Sequence, residues 1–152
     1  MSVETKAFAR EGVVTEEIPF VGHSMVRATH QTTIEITTEV HLTPRGDCII
    51  GVGAAKGVAQ LLPSIKEALR SDRARVRFTI VTPGGEFSFS AKGSKDLSFE
   101  SPTEMVIRRS SFVCGRTLAI QAESSAIEIP RAMVVSLRSR EAAGLLRIEA
   151  YS

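Results

Sequence analysis

The stretch Arg45-Gly46-Asp47-Cys48-Ile49-Ile50-Gly51-Val52-Gly53-Ala54 decides the predicted fold. Gly46 and Asp47 are typical turn residues. The apolar run from Cys48 to Ala54 that follows them is typical of a strand buried on both of its faces. The chain therefore turns and enters its core here, and we expect the other elements to be arranged around this strand.

The same pattern recurs 68 residues further along the chain. When the sequence is compared with itself at that shift, residues 49–52 fall on residues 117–120, and Leu69 falls on Leu137. No gap is needed between these matches. The sequence therefore predicts an internal duplication, in which the two core strands are equivalent.

A short helix is predicted in each of the two halves. Pro63 favours the first position of a helix, where its missing N–H has no cost, and Pro130 lies within one position of it at the same shift. Each half then contains two strands, a helix and a further strand. We predict pseudo-repeated halves at about residues 32–82 and 103–151, within a single domain that spans residues 1–152.

Alternating patterns predict the remaining strands. Residues 75–82 alternate between polar and apolar side chains, residues 83–85 form a turn sequence, and a second alternating strand follows, which together indicate a hairpin. Residues 25–40 are rich in β-branched side chains and predict two strands that turn near His30.

The expected fold is mostly β with two short helices, either β-barrel-like or α+β. Two ββαβ halves would surround a six-stranded barrel-like core, with an N-terminal strand pair and a β insertion added to it. Such barrels have many unrelated functions, so this architecture names no activity.

Several motifs resemble those of one known family. They are Ala28-Thr29-His30-Gln31-Thr32-Thr33, Arg45-Gly46-Asp47-Cys48-Ile49-Ile50-Gly51-Val52, Val106-Ile107-Arg108-Arg109-Ser110 and Arg116-Thr117-Leu118-Ala119-Ile120. On these residues the chain resembles an archaeal family catalogued as domain of unknown function 371. The resemblance implies an archaeal cytoplasmic protein and supplies no substrate. The family pattern has Asp-Lys where this chain has Glu123-Ser124, so any role of that lysine would be missing here.

Composition and charge exclude several classes of protein. With 152 residues, 43% hydrophobic and 24% charged, the sequence is typical of one globular domain and not of a disordered or fibrous chain. No apolar run approaches the roughly 20 residues that a membrane helix needs, so we expect a cytoplasmic protein without membrane association. The net charge of +2 is well short of that of a dedicated nucleic-acid binder.

The sequence contains no asparagine, and a low content of this thermolabile residue is typical of thermophile proteins.

The sequence predicts neither a metal site nor a cofactor. Cys48 and Cys114 do not form a Cys-x-x-Cys pair, and we expect both to be reduced. His23 and His30 are seven residues apart, an odd separation that would put them on opposite faces of a strand. The glycines do not match either common nucleotide-binding motif.

The richest chemical cluster lies between residues 23 and 48. We predict that the side chains of His30 and Asp47 meet within a hydrogen bond or one bridging water, with His30 as a base that the carboxylate holds. His23 and Cys48 are weaker catalytic candidates, the latter as a nucleophile. In the structural alternative, Asp47 only forms a turn and His30 only caps a hairpin.

Basic residues near the two core strands predict an anion pocket. The pocket would contain Arg45, Lys56, Arg108, Arg109 and Arg116, with Thr32 and Thr33 as further ligand-binding candidates. Guanidinium groups bind phosphate and carboxylate through pairs of hydrogen bonds, and without a ligand we expect Glu35 or Glu104 to take the place of the anion. In the alternative, these side chains pair with glutamates on a solvated surface.

Three functions remain open at this level. The first is a small module that binds an anionic small molecule, such as a nucleotide or a phosphorylated metabolite. The second is a hydrolase-like enzyme that uses His30 and Asp47, and the third is a structural subunit of a homo-oligomer such as a homodimer. A small anion is favoured over nucleic acid because the chain has no Trp and a single Tyr for stacking on bases.

Overall fold

The computed structural model describes residues 12–151 of the chain. Within that range there are eight strands and two α-helices. They are β1 (Val14–Val21), β2 (Thr33–Thr37), β3 (Ile49–Gly51), α1 (Pro63–Leu69), β4 (Arg75–Thr82), β5 (Gly85–Lys92), β6 (Glu104–Arg108), β7 (Thr117–Ala119), α2 (Arg131–Ser136) and β8 (Ala143–Tyr151). None of the helices in this range has the length and hydropathy to cross a membrane.

The strands form two sheets of four strands each. The first sheet has the order β1-β8-β4-β5 and the second has the order β3-β2-β6-β7. Single antiparallel bridges join their edges: Val21 to Val52, which we call the first seam, and Lys92 to Ile120, which we call the second seam. Regular pairing stops at both seams, so the sheets are not one continuous barrel. The mostly β class with two short helices is confirmed.

The six strands of the predicted core are present as β2, β3, β4, β6, β7 and β8, but they belong to two separate sheets and do not form a closed barrel. The β insertion is present as β5, which pairs with β4, but the predicted N-terminal pair is the single strand β1, which pairs with β8. Residues 1–11 lie outside the described residues. The two added strands occupy the free edges of β4 and β8, whose N–H and C=O groups would otherwise be unpaired.

Pairing in the two halves is equivalent. β2 and β3 are parallel, as are β6 and β7, while β2 pairs with β6 and β4 pairs with β8 in antiparallel ladders. The Glu35 N–H donates to the carbonyl of Cys48 at 2.9 Å, and the Val106 N–H donates to that of Arg116 at 3.0 Å. β1 pairs with β8 as β5 pairs with β4, so one further strand lies beside the last strand of each half.

Residues 25–32 depart from the predicted strand. Ala28 has φ of 51°, in the left-handed region that interrupts a strand. The Val26 N–H donates to the His23 carbonyl in a turn, and the Val26 carbonyl accepts from the Arg138 guanidinium at 3.0 Å. The β-branched pattern therefore forms a strand only at Thr33–Thr37, where β3 and β6 supply partners on both sides.

The Phe20 side chain closes the core at the first seam. Phe20 lies opposite Gly144 in the ladder and is 2% exposed. A Cβ on either Gly144 or Gly51 would overlap its ring, so two glycines leave the space that the ring fills. At the second seam the equivalent position on β5 holds Ala91, which lies opposite Val76.

Candidate functional site

One group of polar side chains lies on the outer face of the second sheet. Ile34 and Ile36 are core residues, so the alternation of β2 points the Glu35 side chain to the other face. Because β2 and β3 are parallel, residues 38–48 must return along the sheet before β3 begins. Glu35 is thereby buried to 6% exposure. We call Glu35, Cys48, Glu104 and Arg116 the outer-face cluster.

The Glu35 carboxyl is the most perturbed acid of this cluster. Burial raises its pKa from 4.5 to about 7, and the Glu104 carboxylate adds to the rise through its charge and a hydrogen bond. Arg116 and the Cys48 thiol oppose the rise. Arg116 pairs with Glu104 at 3.3 Å. Glu35 is therefore able to exchange a proton near neutral pH.

Cys48 does not have the properties of the predicted nucleophile. Burial, together with the charges of Glu35 and Asp47, raises the pKa of its thiol to about 12. The thiol donates to the Glu35 Oε1 atom at 3.6 Å. Because a thiolate and not a thiol is the nucleophile, Cys48 is a hydrogen-bond donor to Glu35 at neutral pH.

Cys114 has the opposite environment. Its burial alone would raise the pKa of the thiol, but hydrogen bonds from the Arg116 backbone, the Thr117 hydroxyl and Arg108 lower it to about 7. The Arg108 Nη2 atom lies 3.3 Å from the Cys114 Sγ atom. The same guanidinium stacks on the exposed ring of Phe112, at 5.0 Å from its centroid. These contacts stabilise a thiolate at this position.

The two thiols are expected to differ in reactivity. At pH 7.5 iodoacetamide should alkylate Cys114 at least about tenfold faster than Cys48, because a far larger fraction of the Cys114 thiol is ionised. The rate at Cys114 should fall as the pH drops below its pKa of about 7. Peptide mass spectrometry of one sample measures both rates, so Cys48 serves as the internal control. Equal rates at the two cysteines would contradict the assignment.

The structure disperses the predicted anion pocket. Lys56 pairs with the buried Glu16 on β1, and Arg109 pairs with Glu128 at 3.1 Å. Arg45 is exposed in the turn before β3. Of the five basic candidates, Arg108 and Arg116 alone meet on the outer face of the second sheet, where both contribute to the environment of Cys114. Each of the other paired cations reached the acid nearest to it, so no common pocket forms from these five residues.

Thr32 and Thr33 follow the same division. Thr33 is buried opposite Arg108 in the β2–β6 ladder, on the side of the outer-face cluster. Thr32 is exposed, and its hydroxyl lies 3.3 Å from that of Thr33. The two residues therefore border the cluster, and the Thr32 carbonyl accepts from the backbone N–H of Arg109 at 2.9 Å.

No direct hydrogen bond joins the side chains of His30 and Asp47 among residues 12–151. The His30 Nδ1 atom accepts from the Thr32 N–H at 3.1 Å, and Asp47 meets His30 through its backbone carbonyl at 3.3 Å. His23 is buried, and its Nδ1 atom accepts from the Met25 N–H at 3.0 Å. Both imidazoles thus stabilise local turns, because each ring reaches the N–H two residues ahead more easily than a distant carboxylate.

A cavity at the second seam gathers a different set of polar residues. Its volume is about 320 Å³, within the usual size range of small-molecule sites. It is lined by Arg75, Ser90, Ala91, Lys92, Gln121, Glu123 and Tyr151. We call it the seam cavity.

One wall of the seam cavity is a row of side chains across three strands. Arg75 lies directly opposite Lys92 on one side and opposite Tyr151 on the other. Residues opposed in an antiparallel ladder share a face, so two cations and a phenol stand side by side. Among the described residues, neither cation has a carboxylate oxygen within ion-pair distance. Their charge is therefore available to a ligand.

The other wall follows β7 and is held by hydrogen bonds. The Glu123 N–H donates to the Ser90 carbonyl at 2.9 Å, and the Ser90 N–H donates to the Glu123 Oε1 atom at 3.0 Å. Gln121 has φ of 49°, and its Nε2 atom donates to the Ser111 Oγ atom at 2.9 Å. A residue other than glycine is strained in this left-handed backbone region, and such strained residues are often found at functional sites.

The first seam provides an internal comparison for the second. The 68-residue shift and the matching ladders relate five cavity positions to the first seam. The corresponding residues are Ala143 for Arg75, Pro19 for Ser90, Val21 for Lys92, Gly53 for Gln121 and Ala55 for Glu123. All five are polar at the cavity, and none is polar at the first seam. Packing alone therefore does not require polar residues at these positions.

Comparisons with known proteins give a family but no activity. A family model described as a domain of unknown function (DUF371) matches residues 18–150. An uncharacterized protein of the archaeon Methanocaldococcus jannaschii is 44% identical over 117 residues, which cover 77% of this chain and 86% of that protein.

Proposed function

Because this chain belongs to the family described as a domain of unknown function (DUF371), whose description assigns no activity, we propose from the geometry that it binds a small anionic molecule in the seam cavity. The observation that supports the proposal most is the pair of neighbouring cations, Arg75 and Lys92, in a cavity whose counterpart positions are uncharged. The anion would lie between the two cations, within reach of the Tyr151 hydroxyl. This retains the anion-binding function expected from the sequence and moves it to different residues.

The charges of the lining favour a ligand with a single anionic group. Arg75 and Lys92 contribute two positive charges, and Glu123 contributes one negative charge on the opposite wall. A guanidinium binds phosphate or carboxylate oxygens in a forked pair, while an ammonium adds a point charge. Both cations are exposed, so salt will screen the interaction and binding should weaken as ionic strength rises.

Removing Arg75 should abolish most of the binding. Inorganic phosphate at tenfold above its Kd should raise the Tm of the wild-type protein by about 4 °C, because a ligand of the folded state adds about 1.4 kcal/mol of stability. In Arg75→Ala the affinity for phosphate should fall about tenfold, since a charge-assisted hydrogen bond is lost. Thermal shift titrations at constant ionic strength measure both effects.

Arg77→Ala is the matched control for this experiment. Arg77 lies two residues along the same strand on the same exposed face, and it does not line the cavity. Its replacement should leave the phosphate titration unchanged. A wild-type protein that does not respond to phosphate, or equal losses in the two variants, would overturn the proposed function.

The alternative functions have less support from the geometry. A hydrolase-like enzyme based on His30 and Asp47 stays a prediction, but no direct hydrogen bond joins their side chains in the described part of the chain. A structural subunit of a homo-oligomer also stays a prediction. We extend the proposal to a cytoplasmic, thermophile protein whose halves arose by internal duplication, which the equivalent hydrogen bonds of the two halves support.

A further inference from the structure

From the second wall of the seam cavity we infer that the ligand is an acidic polyol, that is, a small molecule with hydroxyl groups beside one phosphate or carboxylate group. This inference rests on the proposed function and names its ligand class. The cations explain only the anionic group. The second wall determines what the remainder of the ligand must offer.

The second wall presents acceptors that are already fixed in direction. One oxygen of Glu123, Oε1, accepts from the Ser90 N–H, which leaves Oε2 without a hydrogen bond among the described residues. The Gln121 Nε2 atom donates one of its two N–H groups to Ser111, and the amide oxygen has no hydrogen bond among the described residues. An acceptor can be satisfied only by a donor, so the ligand should bring hydroxyl groups to this wall.

An anion without hydroxyl groups, or a ligand with a second anionic group, suits this lining less well. A second anionic group at the far wall would face the Glu123 carboxylate and be repelled. An apolar tail would leave the two acceptors without partners after displacing water, which costs affinity. A polyol with a single acidic end satisfies both walls, and the Ser90 hydroxyl can donate to or accept from it.

Gln121 supports the same assignment independently of charge. The equivalent residue of the first half is Gly53, whose φ of 57° is free of strain in glycine. Gln121 adopts φ of 49° at the same point of the fold and carries an amide into the cavity lining. An amide acceptor at a strained position is explained by a ligand that uses it.

Isothermal titration calorimetry with paired probes tests the inference. Glycerol 3-phosphate and propyl phosphate share the anion and the three-carbon chain, but propyl phosphate has no hydroxyl groups. We expect wild-type protein to bind glycerol 3-phosphate at least about tenfold tighter than propyl phosphate. Glycerate and propionate form the corresponding carboxylate pair. Whichever of glycerol 3-phosphate and glycerate binds more tightly identifies the anionic group that the site takes.

Glu123→Gln should remove most of this preference while leaving propyl phosphate affinity unchanged or higher. The amide keeps an oxygen for the Ser90 N–H but turns an NH₂ donor toward the ligand. Glu149→Gln is the matched control, because Glu149 lies opposite Arg77 on the same sheet and outside the cavity lining.

The outcomes separate the two proposals. Equal wild-type affinities within both probe pairs, or a preference that persists in Glu123→Gln, would overturn the acidic polyol while the anion-binding function stands. Failure of all four probes to bind the wild-type protein would overturn the proposed function itself, and the inference with it.

Discussion

Replacing Phe20 with alanine is expected to lower the free energy of unfolding by about 4 kcal/mol, because the change removes a fully packed ring and leaves a cavity. The ring is 2% exposed and lies against Gly51 and Gly144, which have no side chains to move into the space. Relaxation around the cavity should therefore be small. Urea denaturation followed by circular dichroism measures the loss as a lower midpoint at an unchanged slope.

Phe112→Ala is the control for this measurement. Phe112 is 60% exposed and contacts the Arg108 guanidinium, so its removal should cost about 0.5 kcal/mol. Similar losses in the two variants would show that the ring of Phe20 does not close the first seam.

Replacing Glu35 with glutamine is expected to stabilise the protein by about 3 kcal/mol at pH 8 and to have little effect at pH 4.5. The folded state raises the pKa of this carboxyl from 4.5 to about 7, so the folded protein holds the proton that the unfolded chain has released. Wild-type stability is therefore fully present below pH 4.5 and falls as the pH rises to about 7. The glutamine variant has no such group to ionise.

Chemical denaturation at several pH values between 4 and 8.5 tests this expectation. The difference between Glu35→Gln and wild type should grow through the pH range bounded by the two pKa values. Glu86→Gln, which alters an exposed glutamate on β5, should change stability by less than about 0.5 kcal/mol at every pH. A constant difference for Glu35→Gln across the pH range would contradict the raised pKa.

Local patterns predicted the elements whose partners are close in sequence. The hairpin of β4 and β5 follows from the alternation of residues 75–82 and the turn at residues 83–85, because one tight turn fixes its register. The helix that begins at Pro63 follows from the missing N–H of proline. The pairing of β1 with β8 joins distant parts of the chain, and no local pattern encodes it.

The seam cavity was missed for a related reason. The cavity lining comes from four parts of the chain: Arg75 from β4, Lys92 from β5, Gln121 from the turn that follows β7, and Tyr151 from β8. Their proximity therefore depends on the whole fold. The sequence signal for this cavity is in the self-comparison at a shift of 68 residues, at the positions where a polar residue of one half matches an apolar residue or a glycine of the other. Arg75 falls on Ala143 and Gln121 falls on Gly53 at that shift.

Adjacency in sequence was a poor guide to the anion pocket. Arg109 follows Arg108 directly, yet its guanidinium reaches Glu128 while that of Arg108 reaches Cys114. Arg108 is the last residue of β6 and Arg109 lies just after it, so adjacency in sequence does not place the two side chains together. Glu35 was recognised as part of a polar cluster, but its burial depends on the parallel β2–β3 connection, which the sequence does not show.

The position of β1 also affects the order in which the protein can fold. In the β1–β8 ladder Val14 lies opposite Ala150, so a ribosome makes β1 long before it makes the partner strand β8. β4 and β5 are adjacent in sequence, so they can pair as soon as both have left the ribosome. β1 can pair with β8 only after the whole segment between them has been made. Contacts of such long sequence separation slow folding. During that interval the nascent chain exposes the edge of β1 and the apolar ring that will later fill the first seam.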